Sequence, residues 1–292
     1  MGERETVAPK DAKRIGDSSG IAKLDGIAGV RVHDVGQGDA IAVLSSEGTT
    51  ALFIDYGGRQ GNPFKGALRA DVDAHLPLVP TGRIMLTHWD EDHWCSARKG
   101  LKAREADWLV PRQTASPRAA RFSATLDSIH CIPESVVGQV HEFVTSGGDR
   151  VRWEKIAPWP GPEARNEDCN LTGVAFSVLH ERDDGVTEVI LLPGDAPCEA
   201  VGHFHGYVDD AFEVRGMVAS HHGSGAHWPK AAVDLLKDLD PHEVVFSCSD
   251  PNAYGHPNRA KWSAALPNAE FRDTAEVRRG GRRSLDLLFT DR

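Results

Sequence analysis

The sequence predicts an α/β protein, an αββα sandwich in which two mixed sheets pack face to face with helices outside. Short β-rich runs open the folded part of the chain, and strand and helix patterns alternate after them. Residues with metal-binding side chains also collect at the ends of apolar runs, where strands give way to turns. With 292 residues, 40% of them hydrophobic and 26% charged, the chain has the means to bury a large core.

Taken in order, residues 1–26 are polar and carry Pro, Gly and Ser without periodicity, which predicts a flexible N-terminal extension ahead of one folded unit over 27–292. Strands are expected at Gly29–His33, Ala40–Leu44, Ala51–Asp55 and Arg83–Thr87, each closed by Gly or Asp. Helices are expected at Ala67–Leu78 and Pro117–His130. Two further pairs follow, helix Trp228–Leu239 before strand Glu243–Ser247 and helix Pro257–Leu266 before strand Glu270–Asp273. The Pro-rich, polar segment Pro158–Asn170 reads as a loop, and no internal repeat is evident.

Several function classes are disfavoured. No apolar stretch approaches the roughly 18 to 20 residues that cross a bilayer, and Met1–Gly20 has no apolar centre, so a cytoplasmic protein without membrane contact is expected. The five cysteines, Cys95, Cys131, Cys169, Cys198 and Cys248, contain no CxxC pair and predict reduced thiols. A formal net charge of −10 argues against broad neutralisation of a nucleic-acid backbone. It leaves room for a nuclease, because bound metals add local positive charge; the run Arg278, Arg279, Arg282 and Arg283 reads as a solvated basic turn.

The strongest local pattern is Thr87-His-Trp-Asp-Glu-Asp-His93. Residues two apart on an extended chain point the same way, so His88 and Asp90 can share one metal. Asp92 and His93 are adjacent and would diverge on a strand, so the chain must turn here to aim both at a second metal.

The hexapeptide His88–His93 resembles the HxHxDH pattern of the metallo-β-lactamase superfamily, with Asp90 in place of the second histidine. In that form it is similar to the branch containing the C-terminal domain of the competence DNA-uptake protein ComEC. Further matches follow from about Val30 onward: Asp34-Val-Gly-Gln-Gly-Asp-Ala40, Phe53-Ile-Asp-Tyr-Gly-Gly58, Ile190-Leu-Leu-Pro-Gly-Asp195, Ser220-His-His-Gly-Ser224 and Tyr254-Gly-His-Pro257.

The resemblance implies two divalent ions, zinc or manganese, held by His88, Asp90, Asp92, His93, Asp195 and His221, with Asp195 bridging them. Either histidine of the His221-His222 pair could be the ligand; the leading one is taken here. Asp55, Asp39 and Asn170 are expected behind the ligands, Asn170 standing where relatives carry a histidine. His222, His256 and Asp92 are expected at the reacting groups. The implied activity is phosphodiester hydrolysis by a metal-bridging hydroxide, on DNA, RNA or a small molecule. Carboxylic ester or lactone hydrolysis is the alternative within enzymes, and a metal-stabilised regulatory subunit the alternative outside them. A protein partner is left open, since no channel segment accompanies the hydrolase sequence.

Overall fold

The computed structural model describes residues 20–59, 76–78, 82–113, 116–161, 167–225, 229–248, 252, 254–279 and 283–290. Two seven-stranded mixed sheets form its centre. The first contains β1 (Ile27–His33), β2 (Ile41–Ser45), β3 (Thr50–Ile54), β4 (Arg83–Met85), β5 (Asp107–Pro111) and β6 (Ser128–Ile132) in sequential order. The second contains β7 (Val140–Val144), β8 (Arg150–Lys155), β9 (Val174–Glu181), β10 (Thr187–Leu192), β11 (Phe212–Val218), β12 (Glu243–Phe246) and β13 (Glu270–Asp273), again in sequential order. The final strand, β14 (Ser284–Leu288), crosses back to pair with β1.

The two halves repeat one topology. Strands β1, β2 and β3 are antiparallel and continue into parallel β4, β5 and β6; β8, β9 and β10 continue in the same way into β11, β12 and β13. No sequence repeat accompanies this, because a sheet specifies burial and register rather than residue identity. The arrangement also sets the carboxyl ends of β3 and β4 and those of β10 and β11 at equivalent points of the two halves, the ends from which the loops carrying the chemistry depart.

Three apolar layers hold the sandwich. Val30, Val43, Ile54, Phe176, Ile190, Leu192 and Val218 fill the space between the sheets. Trp94, Trp108 and Phe122 lie on the outer side of the first sheet with Ala103 of α1 (Leu101–Glu105) and Ala119 of α2 (Pro117–Ser123). In the second sheet, β10 sends Ile190 and Leu192 inward, while Val189 and Leu191 join an outer layer with Leu235, Leu236 and Leu239. Burial on both faces explains why Val189–Leu192 of β10 reads as an unbroken apolar run.

After the short α3 (Glu167–Leu171), the next helix is α4 (Lys230–Leu239). It buries Ala232, Leu235, Leu236 and Leu239, one stripe at helical spacing, and stops where Asp240 turns left-handed at φ 38°. Two shorter helices, α5 (Arg259–Ala265) and α6 (Thr274–Arg279), flank β13. No helix among the described residues is long and apolar enough to cross a membrane.

Most expected elements recur with shifted ends, and three differ in kind. The helix expected over Pro117–His130 stops at Ser123, and Ser128–Ile132 instead forms β6, paired in parallel with β5. Ile129 and Cys131 alternate along it and pack on the outer apolar layer, a contact across the sheet that local periodicity does not report. The expected loop Pro158–Asn170 carries the start of α3. The expected flexible extension is shortened, because Ile21 is buried between the sheets and Leu24 accepts a hydrogen bond from Ser146 N. Residues 1–19, most of the expected helix Ala67–Leu78, and Arg282 lie outside the described residues.

Candidate metal centre

The loops that follow β3, β4, β10 and β11 converge. After β4 the chain runs through Thr87 and His88 into a tight turn over Glu91–His93. Two loops clasp that turn by its carbonyls. Asp92 O accepts from Asp39 N at 3.3 Å and Gly58 N at 2.9 Å, and His93 O accepts from Tyr56 N at 2.9 Å. A Cβ at Gly57 would stand 1.7 Å from Asp92 O, and one at Gly38 would stand 2.3 Å from it. The glycines of the Asp34–Ala40 and Tyr56–Gly58 loops therefore permit the approach that turns Asp92 and His93 toward a common centre.

Asp195, at the end of the loop after β10, divides that centre. Its Oδ1 lies 3.3 Å from His93 Nε2 and 3.7 Å from His222 Nε2. Its Oδ2 lies 3.6 Å from His88 Nε2 and 3.7 Å from His221 Nε2. Asp92 Oδ2 completes the first group at 3.4 Å from His222 Nε2, and Asp90 Oδ2 completes the second at 3.7 Å from His88 Nε2.

Two carboxylates stand behind these rings, and Asp55 sets one of them. Asp55 accepts from Thr87 N, from Thr87 Oγ1 and from His93 Nδ1, each at 2.7 Å. Asp39 Oδ1 faces His222 Nδ1 at 3.5 Å. Asp55, His221 and His222 all have left-handed backbones, at φ 58°, 48° and 54°. Each such residue costs on the order of 1–3 kcal/mol of strain, which the surrounding contacts must offset. Gly223 follows at φ 83° against Phe246 and Pro257, where a Cβ would stand 2.5 Å from the Phe246 ring.

The electrostatics are those of a centre made for cations. Burial opposes ionisation of Asp195, yet His93, His222 and His88 hold its carboxyl well below the usual range. Burial likewise works against Asp92, and His222 and His93 bring it below that range. Burial disfavours charge on His93 and His222 too, but Asp195, helped by Asp55 for one and by Asp39 for the other, raises both rings well above an ordinary histidine.

The donor set fits divalent ions. His88 Nε2, His93 Nε2, Asp195 Oδ1 and both ring nitrogens of His222 are buried without a hydrogen-bond partner, although buried polar groups are ordinarily paired. Ligands about 2.0–2.2 Å from one tetrahedral ion are themselves separated by roughly 3.4 Å, the scale of the spacings in both groups. Among the described residues the sets His88, His93 and Asp195, and Asp92, His93 and His222, each bring ligand atoms within 4.8 Å of one another, while Asp90 and His221 stand outside every such set.

The remaining expected residues fall around this centre. His222, expected to face a reacting group, is 1% exposed among Asp39, Asp92 and Asp195, whereas His221 has a side chain 35% exposed. His256 is half-buried, with its ring 5.5 Å from that of His221 and its pKa lowered by burial and then by His221. Asn170 lies in α3 with its Oδ1 buried and unpartnered.

Sequence reasoning missed Gln113. Its Oε1 accepts from Trp89 N at 3.0 Å, and its Nε2 donates to Cys169 O at 2.8 Å and Thr172 Oγ1 at 2.9 Å. It thus pins the His88–Asp90 segment to the end of α3. Lys155, wholly buried beside it, donates to Thr172 O at 2.7 Å. Neither residue sits in a local pattern that could have marked it.

No protein-family model and no curated protein matches the chain. Among solved structures it is similar to the metallo-β-lactamase fold protein YhfI from Bacillus subtilis, at 11% identity and a TM-score of 0.48, over 89% of this chain and 98% of that one. It is also similar to a metallo hydrolase from Ignicoccus hospitalis, at 14% identity and a TM-score of 0.42, over 89% and 99% of the two chains. Zinc-bound PqqB from Methylobacterium extorquens aligns at 14% identity and a TM-score of 0.43, over 81% and 85%.

Proposed function

We propose that this chain is a dinuclear metal-dependent hydrolase of the metallo-β-lactamase superfamily, acting on phosphodiesters as a nuclease or small-molecule phosphodiesterase. The observation that carries this reading is the division of Asp195, whose two oxygens face two different histidine pairs. One ion would be held by His88, Asp90, Asp195 Oδ2 and His221, the other by Asp92, His93, Asp195 Oδ1 and His222. His221 and His222 then serve different ions, and His221 supplies the donor that relatives take from a histidine at the Asn170 position.

When bound, two divalent ions supply Lewis acidity toward phosphate oxygens and activate water near neutral pH. The protein's part is placement. Asp55 holds His93 in one tautomer and one orientation, Asp39 lies behind His222, and Gln113 holds the segment bearing His88 and Asp90. His256, beside His221 and in neither group, is placed to donate a hydrogen bond to a phosphate or leaving-group oxygen. The mixture of imidazole and carboxylate suits zinc and manganese alike. The acidic overall balance favours a short or small substrate over tight, sequence-independent binding of long nucleic acid.

The test is turnover by the zinc- and manganese-loaded protein of bis(p-nitrophenyl) phosphate, DNA, RNA and model carboxylic esters, with metal content measured alongside. Hydrolysis of phosphodiesters with about two ions per chain is expected. A single ion, or turnover confined to carboxylic esters, would overturn the reading.

A further inference from the structure

Beyond the metal ligands, a row of aromatic rings leads outward from the centre. The His221 ring meets that of His256 at a centroid distance of 5.5 Å and an angle of 61°. His256 in turn stacks on Tyr254 at 6.2 Å and 18°. Tyr254 is nonetheless 60% exposed, the highest value among the large apolar side chains that stand out of the described surface.

Such exposure of a large ring is maintained by a built turn. Tyr254 N donates to Asn252 Oδ1 at 2.8 Å, and Asn252 Nδ2 donates to Gln37 Oε1. Gln37 is 4% exposed within the same Asp34–Ala40 loop that clasps Asp92. The turn is therefore anchored to the frame of the metal centre, and the Tyr254 ring lies two ring spacings from His221.

We infer that Tyr254, backed by His256, is a stacking platform for a flat aromatic group two ring spacings from His221, and that the substrate is a nucleotide with its base on Tyr254. This rests on the phosphodiester reading for the position of the phosphate. Base–aromatic stacking is tolerant of sequence and requires no basic surface, which agrees with the acidic balance of the chain.

The test compares adenosine 5′-phosphate with ribose 5-phosphate, which shares the sugar and phosphate and lacks the base, by calorimetric titration into the metal-loaded full chain. Wild type should bind the nucleotide about tenfold tighter or more, the scale of a single stacked base. Tyr254→Ala should erase that preference with metal content unchanged, and Tyr254→Phe should keep it. Equal affinities in wild type, failure of adenosine 5′-phosphate to bind, or a preference that survives Tyr254→Ala would overturn the proposal. Loss in Tyr254→Phe would overturn stacking in favour of the hydroxyl. A single-stranded oligonucleotide titrated in parallel distinguishes the sources: tighter, steeply salt-dependent binding assigns a polymer, and its absence a free nucleotide, either supporting the platform. A preference for the nucleotide without hydrolysis of any phosphodiester would refute the phosphodiesterase reading and leave the platform standing.

Discussion

His93 turns its Nδ1 to Asp55, 2.7 Å away, and this leaves its Nε2 facing Asp195 at 3.3 Å. The same Asp55 oxygen also accepts from Thr87 Oγ1, so one carboxylate ties the end of β4 to the orientation of a proposed ligand. Asp55→Asn tests the link cleanly, because asparagine tolerates the φ of 58° at this position. One end of the amide cannot accept a hydrogen bond, so either His93 or Thr87 loses its partner. Metal affinity should fall roughly 10- to 100-fold, read by competition with a chromogenic chelator, with the circular dichroism spectrum unchanged. Unchanged affinity would show that Asp55 does not orient His93 for metal.

Asp195→Asn should weaken both proposed ions at once. An amide carries no charge to neutralise two cations, and it replaces one of two accepting oxygens with a donor. Metal analysis after dialysis should find less than about one ion per chain, with hydrolysis abolished. A variant that retained both ions and full turnover would show that Asp195 bridges nothing.

The two histidines at β11 should separate in the same assay. Alanine is a poor probe here because both backbones are left-handed, so glycine is the cleaner substitution. His222→Gly should lose the ion shared with Asp92 and His93, and His221→Gly the ion shared with His88 and Asp90. Manganese relaxation or cobalt spectra distinguish the two residual single-ion sites. Identical residual spectra would mean that both histidines serve the same ion, and retention of both ions by one variant that its histidine is no ligand.

How far the sequence disclosed this depends on whether information is local. His88, Asp90, Asp92 and His93 lie within one hexapeptide, so their convergence is legible once the chain is seen to turn. The proposed division of labour between His221 and His222 is not legible, because it depends on the left-handed backbones of both residues, at φ 48° and 54°, which no local pattern marks. Gln113 stayed hidden for a different reason: its partners Trp89, Cys169 and Thr172 meet it only after β5 and α3 are in place. Strands β7 to β9 escaped notice because their pairing across the sheet defines them more than their composition.

Away from the metal centre, Glu154 is a buried carboxylate with a structural duty. It accepts from Gly202 N at 3.3 Å, from His203 N at 2.9 Å and from His203 Nδ1 at 2.9 Å, fixing the turn Gly202–Val208 on the outer side of β8. Glu154→Ala leaves those donors buried without an acceptor, at about 1–3 kcal/mol for each that stays unpaired. Urea unfolding should show a clear loss of stability with metal content and turnover per folded molecule retained. Loss of metal instead would tie this turn to the centre.

His256 offers the sharpest division between binding and chemistry. It is half-buried, and its ring lies 5.5 Å from that of His221. The eight donors proposed for the two ions already give each of them four. A neutral imidazole beside such a centre can donate to a phosphate or leaving-group oxygen, help that mutagenesis elsewhere values at roughly 100-fold or more in rate. His256→Ala should therefore keep about two ions per chain and an unchanged melting temperature while kcat falls by about that factor. Activated substrates such as p-nitrophenyl esters, whose leaving group needs no proton, should lose less than alkyl esters do. Departure of one ion would make His256 a ligand, and unchanged turnover on both substrate types would leave it with a purely structural part in the turn that carries Tyr254.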